Sequence, residues 1–286
     1  MKLISYSRNG IASCGLWVRD GVIDLPRRLG VRAQDLKTLL ANDLLEQAAK
    51  YCDEAPDFAL ADVRLEPVIP NPRNILCVGL NYEDHRVETK RPKVDHPTIF
   101  MRVAESLQAH GAALLIPQES DQFDYEGELA VIIGKEGRRI PESHAWNHVA
   151  GVSCFNEGTV RDWQYHTHQF GPGKNFPRTG AFGPALITLD ELPDDRVLTL
   201  ETRVNGEVRQ AATTSQMLFF IPKLIEYCST FMTLYPGDVI VSGTPGGVGA
   251  KRQPPSWLSN GDVVEVEIGN VGTLRNVCQK ELRNDV

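Results

Sequence analysis

Asp124-Tyr125-Glu126-Gly127-Glu128-Leu129-Ala130-Val131-Ile132-Ile133-Gly134 is the stretch on which the reading of this chain turns. Its second half is apolar, partly β-branched and closed by a glycine. It therefore reads as a buried strand over Leu129–Gly134. If the strand already includes Glu126, positions i and i+2 face the same side, and Glu126 and Glu128 stand side by side. The glycine between them permits close approach. Like charges that near each other raise one pKa unless a cation lies between them. Oxygen-only donors suit Mg²⁺, Mn²⁺ or Ca²⁺ better than zinc. A pair of solvated glutamates on an exposed strand edge is the plainer alternative, and this spacing alone does not choose between them.

Outward from this stretch the pattern is mostly β. Ile75–Gly79, Val149–Phe155, Ala185–Thr188, Leu198–Val204, Val239–Ser242 and Val263–Ile268 read as strands. Asn205-Gly206, Pro236-Gly237-Asp238 and Asn260-Gly261-Asp262 supply turns. One amphipathic helix is predicted at about Ser215–Met232, with Met217, Phe220, Ile221, Leu224, Ile225 and Cys228 on one side. The first seventy residues form a separate pattern. Leu3–Tyr6 and Ala12–Val18 read as short strands, Gly21–Asp24 turns into another, and Leu36–Tyr51 carries helical spacing. Pro67, Pro70 and Pro72 then stiffen a linker. The expected class is α+β and β-rich, with a small N-terminal α/β domain over 1–70 and a larger domain over 71–286.

The chain has 286 residues and a formal net charge of −7, with no Lys/Arg run, which argues against nucleic acid as a partner. No apolar stretch is long enough for a membrane helix, and the N-terminus lacks a signal-peptide core. The six cysteines show no paired spacing and read as buried thiols in a reducing compartment. A cytoplasmic location is expected.

Four further segments carry candidate chemistry. Cys154-Phe155-Asn156-Glu157 places a third carboxylate at a strand end, which would complete a facial oxygen set with open positions for water and substrate. Arg161 and Asp162 follow, either as support for the site or as a surface pair. Gly79-Leu80-Asn81-Tyr82-Glu83-Asp84-His85-Arg86-Val87-Glu88 follows a buried strand. On a short helix His85 and Glu88 meet at i, i+3, and a carboxylate-held imidazole is a general base. Otherwise His85 is incidental to an exposed helix. Gly171-Pro172-Gly173-Lys174 presents one ammonium, either to a developing oxyanion or to solvent. Ser242-Gly243-Thr244-Pro245-Gly246-Gly247-Val248-Gly249 offers amides and a hydroxyl to a carboxylate, or is a plain turn between strands; it lacks the Walker ending.

Taken in order, these motifs resemble the fumarylacetoacetate hydrolase family over residues about 72 to 280. The resemblance rests on Gly79-Leu80-Asn81-Tyr82 with His85 and Glu88, Tyr125-Glu126-Gly127-Glu128-Leu129, and Asn156-Glu157 through Arg161, Asp162 and Gln164. Gly173-Lys174-Asn175-Phe176, Asn205-Gly206 and Pro236-Gly237-Asp238-Val239-Ile240 with Gly243-Thr244-Pro245 complete it. It implies a mixed β-sandwich roll and Mg²⁺ or Mn²⁺ on Glu126, Glu128 and Glu157, to which the oxygen-only donor set adds Ca²⁺. It implies His85 and Glu88 as a water-activating dyad on a lid, with Lys174 as the third catalytic group. Tyr82, Arg102, Arg161, Gln164 and Thr244 would meet the substrate, and the family is commonly homodimeric. The family usually has Asp at the position of Glu157, and one extra methylene moves the carboxylate by roughly 1.5 Å. Trp163–Phe170 adds His166 and His168 near the expected mouth, where they either contact an anionic substrate or belong to a solvated loop.

The implied activity is metal-assisted cleavage of a carbon–carbon bond in a small anionic 2-oxo, 1,3-dicarbonyl acid of acylpyruvate or fumarylpyruvate type. Decarboxylation or isomerisation of a 2-oxo acid in aromatic catabolism is the alternative, since the same enolate serves it. That route needs no activated water, so loss of His85 should cost less. A binding protein with a degraded site is a third reading. Specificity is expected to lie in the loops around 89–97 and 163–172.

Overall fold

A computed structural model describes residues 1–282. Among them, two main sheets pack face to face. The larger has twelve strands. Its central path runs Lys2–Arg8, Gly180–Thr188, Val149–Asn156, Gly127–Ile133, Val239–Val241, Ile75–Gly79 and Thr98–Arg102. Val239–Val241 pairs parallel to Ile75–Gly79, and its other neighbour is antiparallel. The smaller sheet has five strands: Glu207–Thr213, Thr199–Val204, Val263–Ile268, Gly272–Lys280 and Leu114–Ile116.

The apolar run after Glu128 is continuous because the strand is buried on both faces. Leu129, Val131 and Ile133 join the core between the two sheets. Ala130 and Ile132 point the other way, into a second core closed by Leu36, Leu39 and Leu40 of the N-terminal helices. Period-two alternation puts Glu128 on the Ala130 face and Gly127 on the face of the smaller sheet. There a Cβ on Gly127 would stand 2.0 Å from Thr202 Oγ1. The glycine between the two glutamates therefore admits the second sheet, on the face away from the carboxylates.

The segment before residue 70 is continuous with the rest at backbone level. Lys2–Arg8 pairs antiparallel with Gly180–Thr188 and extends the large sheet. The expected helix over 36–51 is two short helices, Leu36–Ala41 and Leu45–Ala49, because Asp43 takes a positive φ between them. The expected helix from 215 starts only at Ile221. Pro222 fixes φ and lacks an N–H, so it fits a first turn and not an interior. The helix Ile221–Phe231 buries Ile221, Leu224, Ile225 and Cys228, as the spacing predicts, while Phe220 is exposed. The strands Glu207–Thr213 and Gly272–Lys280 are additions to the expected set. Both mix buried and exposed polar positions, so neither forms an apolar run. No helix among the described residues is long and apolar enough to cross a membrane.

Candidate active site and metal centre

The strand ladder itself assembles the acids. Gly127 pairs with Asn156, so the residues just outside the ladder, Glu126 and Glu157, face each other. Glu157 N donates to the Glu126 carbonyl at 2.8 Å, and Glu126 N donates to Asn156 Oδ1 at 3.1 Å. One carboxylate oxygen from each of Glu126, Glu128 and Glu157 lies within 4.8 Å of the others. All three side chains are buried.

Buried carboxylates need partners. Lys174, on the helical turn Gly171–Lys174, donates to Glu126 Oε2 at 2.7 Å and to Glu157 Oε2 at 2.8 Å. Arg161 reaches Glu126 Oε1 at 2.7 Å through Nη1 and Asp124 Oδ2 at 2.8 Å through Nε. Arg102 lies behind Glu157, 4.0 Å from Oε1. Four buried carboxylates thus meet three buried cations. The unmatched charge falls on Glu128, whose contact is the Gly243 N–H at 2.5 Å. Gly243 has φ +101°, and a Cβ there would stand 2.6 Å from Asn81 Cβ, so glycine brings this amide to the acid.

Electrostatics follow the partners. Burial pushes both Glu126 and Glu128 up. For Glu126 the charges of Lys174 and Arg161 overcome it and hold the carboxyl below the usual range. For Glu128 the neighbouring charges of Glu157 and Glu126 add to burial, and it is raised well above 4.5. Lys174 is raised, because Glu126 and Glu157 outweigh the cost of burying it.

The trio fits a hard divalent cation. The donors are all oxygen, and Glu157 Oε1 is buried with no hydrogen-bond partner. Glu128, whose carboxyl is raised and has no cationic partner, is the acid that a bound cation would ionise. Glu157 reaches the trio with its longer side chain, and Lys174 seats its other oxygen.

The helix Glu83–Glu88 carries the second cluster. His85 Nδ1 lies 2.8 Å from Glu88 Oε1, and Gly247 N donates to Glu88 Oε2 at 3.0 Å. His85, the three acids, Arg161, Gln164, Lys174 and Thr244 line one cleft. Its empty space is about 650 Å³, open mouth included. Leu80, Phe100 and Phe170 give it apolar walls. Leu80 holds φ +59°, an unfavourable conformation for a side chain of this size, at the turn that opens onto the cleft.

Some expected contacts lie elsewhere. Tyr82 is buried outside the cleft lining, with its hydroxyl unpartnered. Arg102 is outside the lining too, and its donors go to Ser106, the Gly158 carbonyl and Thr179. Thr244 lines the cleft, but its Oγ1 donates to the Gly127 carbonyl and accepts from Gln210. His166 and His168 are exposed and outside the lining. The expected set also lacks Asp124, which accepts from Arg161, Gly249 N and Ala250 N while fully buried. Its signal was an acid between two aromatic residues, Phe123 and Tyr125, two positions before Glu126.

Known proteins resemble this chain in sequence and fold. The family described as fumarylacetoacetate (FAA) hydrolase C-terminal matches residues 74–279. Oxaloacetate tautomerase YisK of Bacillus subtilis is 42% identical over 242 residues, covering 82% of this chain and 80% of that one. Mitochondrial oxaloacetate tautomerase fahd2 of Xenopus laevis is 37% identical over 96% of this chain and 89% of its own length. The solved fumarylacetoacetate hydrolase from Exiguobacterium antarcticum superposes with a TM-score of 0.83 at 33% identity, covering 98% of this chain and 100% of that one. With the family match spanning the strands that build the acid trio, the chain belongs to the fumarylacetoacetate hydrolase family.

Proposed function

We propose that this chain is a divalent-metal-assisted enzyme of small 2-oxo dicarboxylic acids, and that its reaction is keto–enol tautomerisation with oxaloacetate as the candidate substrate. The observation that carries the reading is a single cleft holding a buried acid trio, a lysine with one spare N–H and a carboxylate-held imidazole. The two tautomerase relatives support the choice of reaction. Glu126, Glu128 and Glu157 would hold Mg²⁺, Mn²⁺ or Ca²⁺, and a bound ion would supply Lewis acidity at the 2-oxo group.

The chain's own residues supply the rest. Arg161 lines the cleft and its Nη2 is buried with no partner, so this guanidinium receives the substrate's first carboxylate. Glu88 holds the proton on His85 Nδ1, which leaves Nε2 as the base for the proton at C3. As that proton leaves, the electron pair forms the C2–C3 double bond and charge moves to the 2-oxo oxygen. Lys174 has three N–H donors, two of them given to Glu126 and Glu157, and the third meets that oxygen. Transfer of the proton from His85 Nε2 to that oxygen completes the enol and returns the imidazole to its starting form, and the same groups run the reverse direction. Phe100, Phe170 and Leu80 exclude water from the enolate.

The His85–Glu88 pair also favours a second reading, hydrolysis of an acylpyruvate carbon–carbon bond, with Nε2 activating water. The test follows the ultraviolet absorbance of enol-oxaloacetate with Mg²⁺ or Mn²⁺ present. Acceleration over the metal-only blank, with no pyruvate released from acylpyruvates, is the expected result. No acceleration together with pyruvate release would replace tautomerisation with hydrolysis. No acceleration, no pyruvate and no Mg²⁺ or Mn²⁺ binding at millimolar levels would leave a binding protein.

A further inference from the structure

Two cations at the cleft mouth are not used by this chemistry. Arg91 and Lys251 are both exposed and both line the cleft. Neither takes part in an ion pair among the described residues, while Arg86, hydrogen-bonded to Arg91, is paired with Glu83. In a chain of net charge −7, unneutralised cations facing one cleft are where an anion is drawn in.

Each is fastened to an element that carries the proposed machinery. Arg91 N donates to the Arg86 carbonyl at 3.1 Å, and Arg86 Nη1 donates back to the Arg91 carbonyl at 2.6 Å. That ties its backbone to the helix of His85 and Glu88. Lys251 ends the turn Gly249–Lys251, whose first two amides donate to Asp124, the acid that holds Arg161. Its Nζ stands 5.9 Å from the ring centroid of Tyr165, the residue that ends the helix Arg161–Gln164. The backbones are anchored, and neither charged head has an anionic partner among the described residues.

We infer that Arg91 and Lys251 form the subsite for the substrate's second carboxylate and make this cleft selective for 2-oxo diacids over 2-oxo monoacids. The inference rests on the 2-oxo acid chemistry proposed for the same cleft. The first carboxylate and the 2-oxo group are taken at the floor by Arg161 and Lys174. A monoacid leaves both mouth cations without an anion. A diacid brings its far carboxylate to a guanidinium and an ammonium, and each such charge-assisted bond contributes about tenfold in affinity.

The test is loss of C3 hydrogens in D₂O by proton NMR, with Mg²⁺ present. Oxaloacetate is compared with 2-oxobutanoate, which carries a methyl group in place of the second carboxylate. The ratio of kcat/KM for diacid over monoacid should fall roughly 30- to 100-fold in the Arg91→Ala, Lys251→Ala double variant, through KM for oxaloacetate. The charge-retaining Arg91→Lys, Lys251→Arg variant should keep the ratio within about threefold. An unchanged ratio in the alanine variant, or the same loss in the charge-retaining one, overturns the subsite. If the wild type exchanges neither acid, the tautomerase reading fails separately. Calorimetric binding of the two acids with Mg²⁺ then decides the subsite alone. A diacid preference that the alanine variant loses supports it, and no preference in the wild type overturns it.

Discussion

Replacing Lys174 by methionine keeps the apolar stem and removes the ammonium that joins two acids. The buried contacts at 2.7 and 2.8 Å are lost together, and Glu126 and Glu157 face each other unscreened on that side. Removing one partner from a buried ion pair costs about 3–5 kcal/mol. Unfolding entropy near 60 °C is about 2.1 cal/mol/K per residue, so for 286 residues 1 kcal/mol moves Tm by roughly 1.7 °C. In EDTA the Lys174→Met variant should therefore melt about 5–8 °C below the wild type. Saturating Mg²⁺ or Mn²⁺ should narrow that gap. The vacated acids bind the ion more tightly, and 100-fold excess over Kd contributes about 2.7 kcal/mol. Differential scanning calorimetry in EDTA and in metal reads both gaps. Equal gaps in the two conditions would refute the reasoning, since the ion would then be bound away from Glu126 and Glu157.

Other changes test separate parts of the site. Burial and the charges of Glu157 and Glu126 raise Glu128 above 4.5, so the folded chain holds a proton there that the unfolded chain has released. Metal-free stability should fall as pH rises from 4.5 through the raised value, and metal affinity should rise by up to about tenfold per pH unit across the same window. Calorimetry in buffers of different ionisation enthalpy should detect the released proton. His85→Ala should lower enolisation by about 10²-fold with metal affinity unchanged, read by the enol absorbance assay and by metal titration. Gly173→Ala places a Cβ 2.4 Å from Gln164 N and 2.5 Å from the Val160 carbonyl, both backbone atoms. It should cost about 1–3 kcal/mol in a denaturant titration and move Lys174 off the acids.

The apolar runs made most of the large sheet legible, because strands buried on both faces leave continuous stretches such as Leu129–Ile133. The smaller sheet was half hidden, since Glu207–Thr213 and Gly272–Lys280 each keep one face wet. The pairing of Lys2–Arg8 with Gly180–Thr188 joins residues far apart along the chain, which no local pattern encodes. Local spacing did carry His85 and Glu88, because an i, i+3 contact needs only a helix. It did not carry Asp124 with Gly249 or Gln210 with Thr244, whose meeting depends on how the two sheets stack. The role of Gly127 was misplaced for the same reason: the atom it avoids, Thr202 Oγ1, lies on the opposite sheet.

The central claim joins the acid trio to enolisation, and a titration tests both together. The rate of enol-to-keto conversion of oxaloacetate is measured as Mn²⁺ is added to the wild type and to the Glu128→Gln variant. The account predicts a rate above the metal-only blank that saturates at one ion per chain in the wild type and stays near the blank in the variant. A rate independent of added metal after EDTA treatment, or a variant that titrates like the wild type, would contradict it.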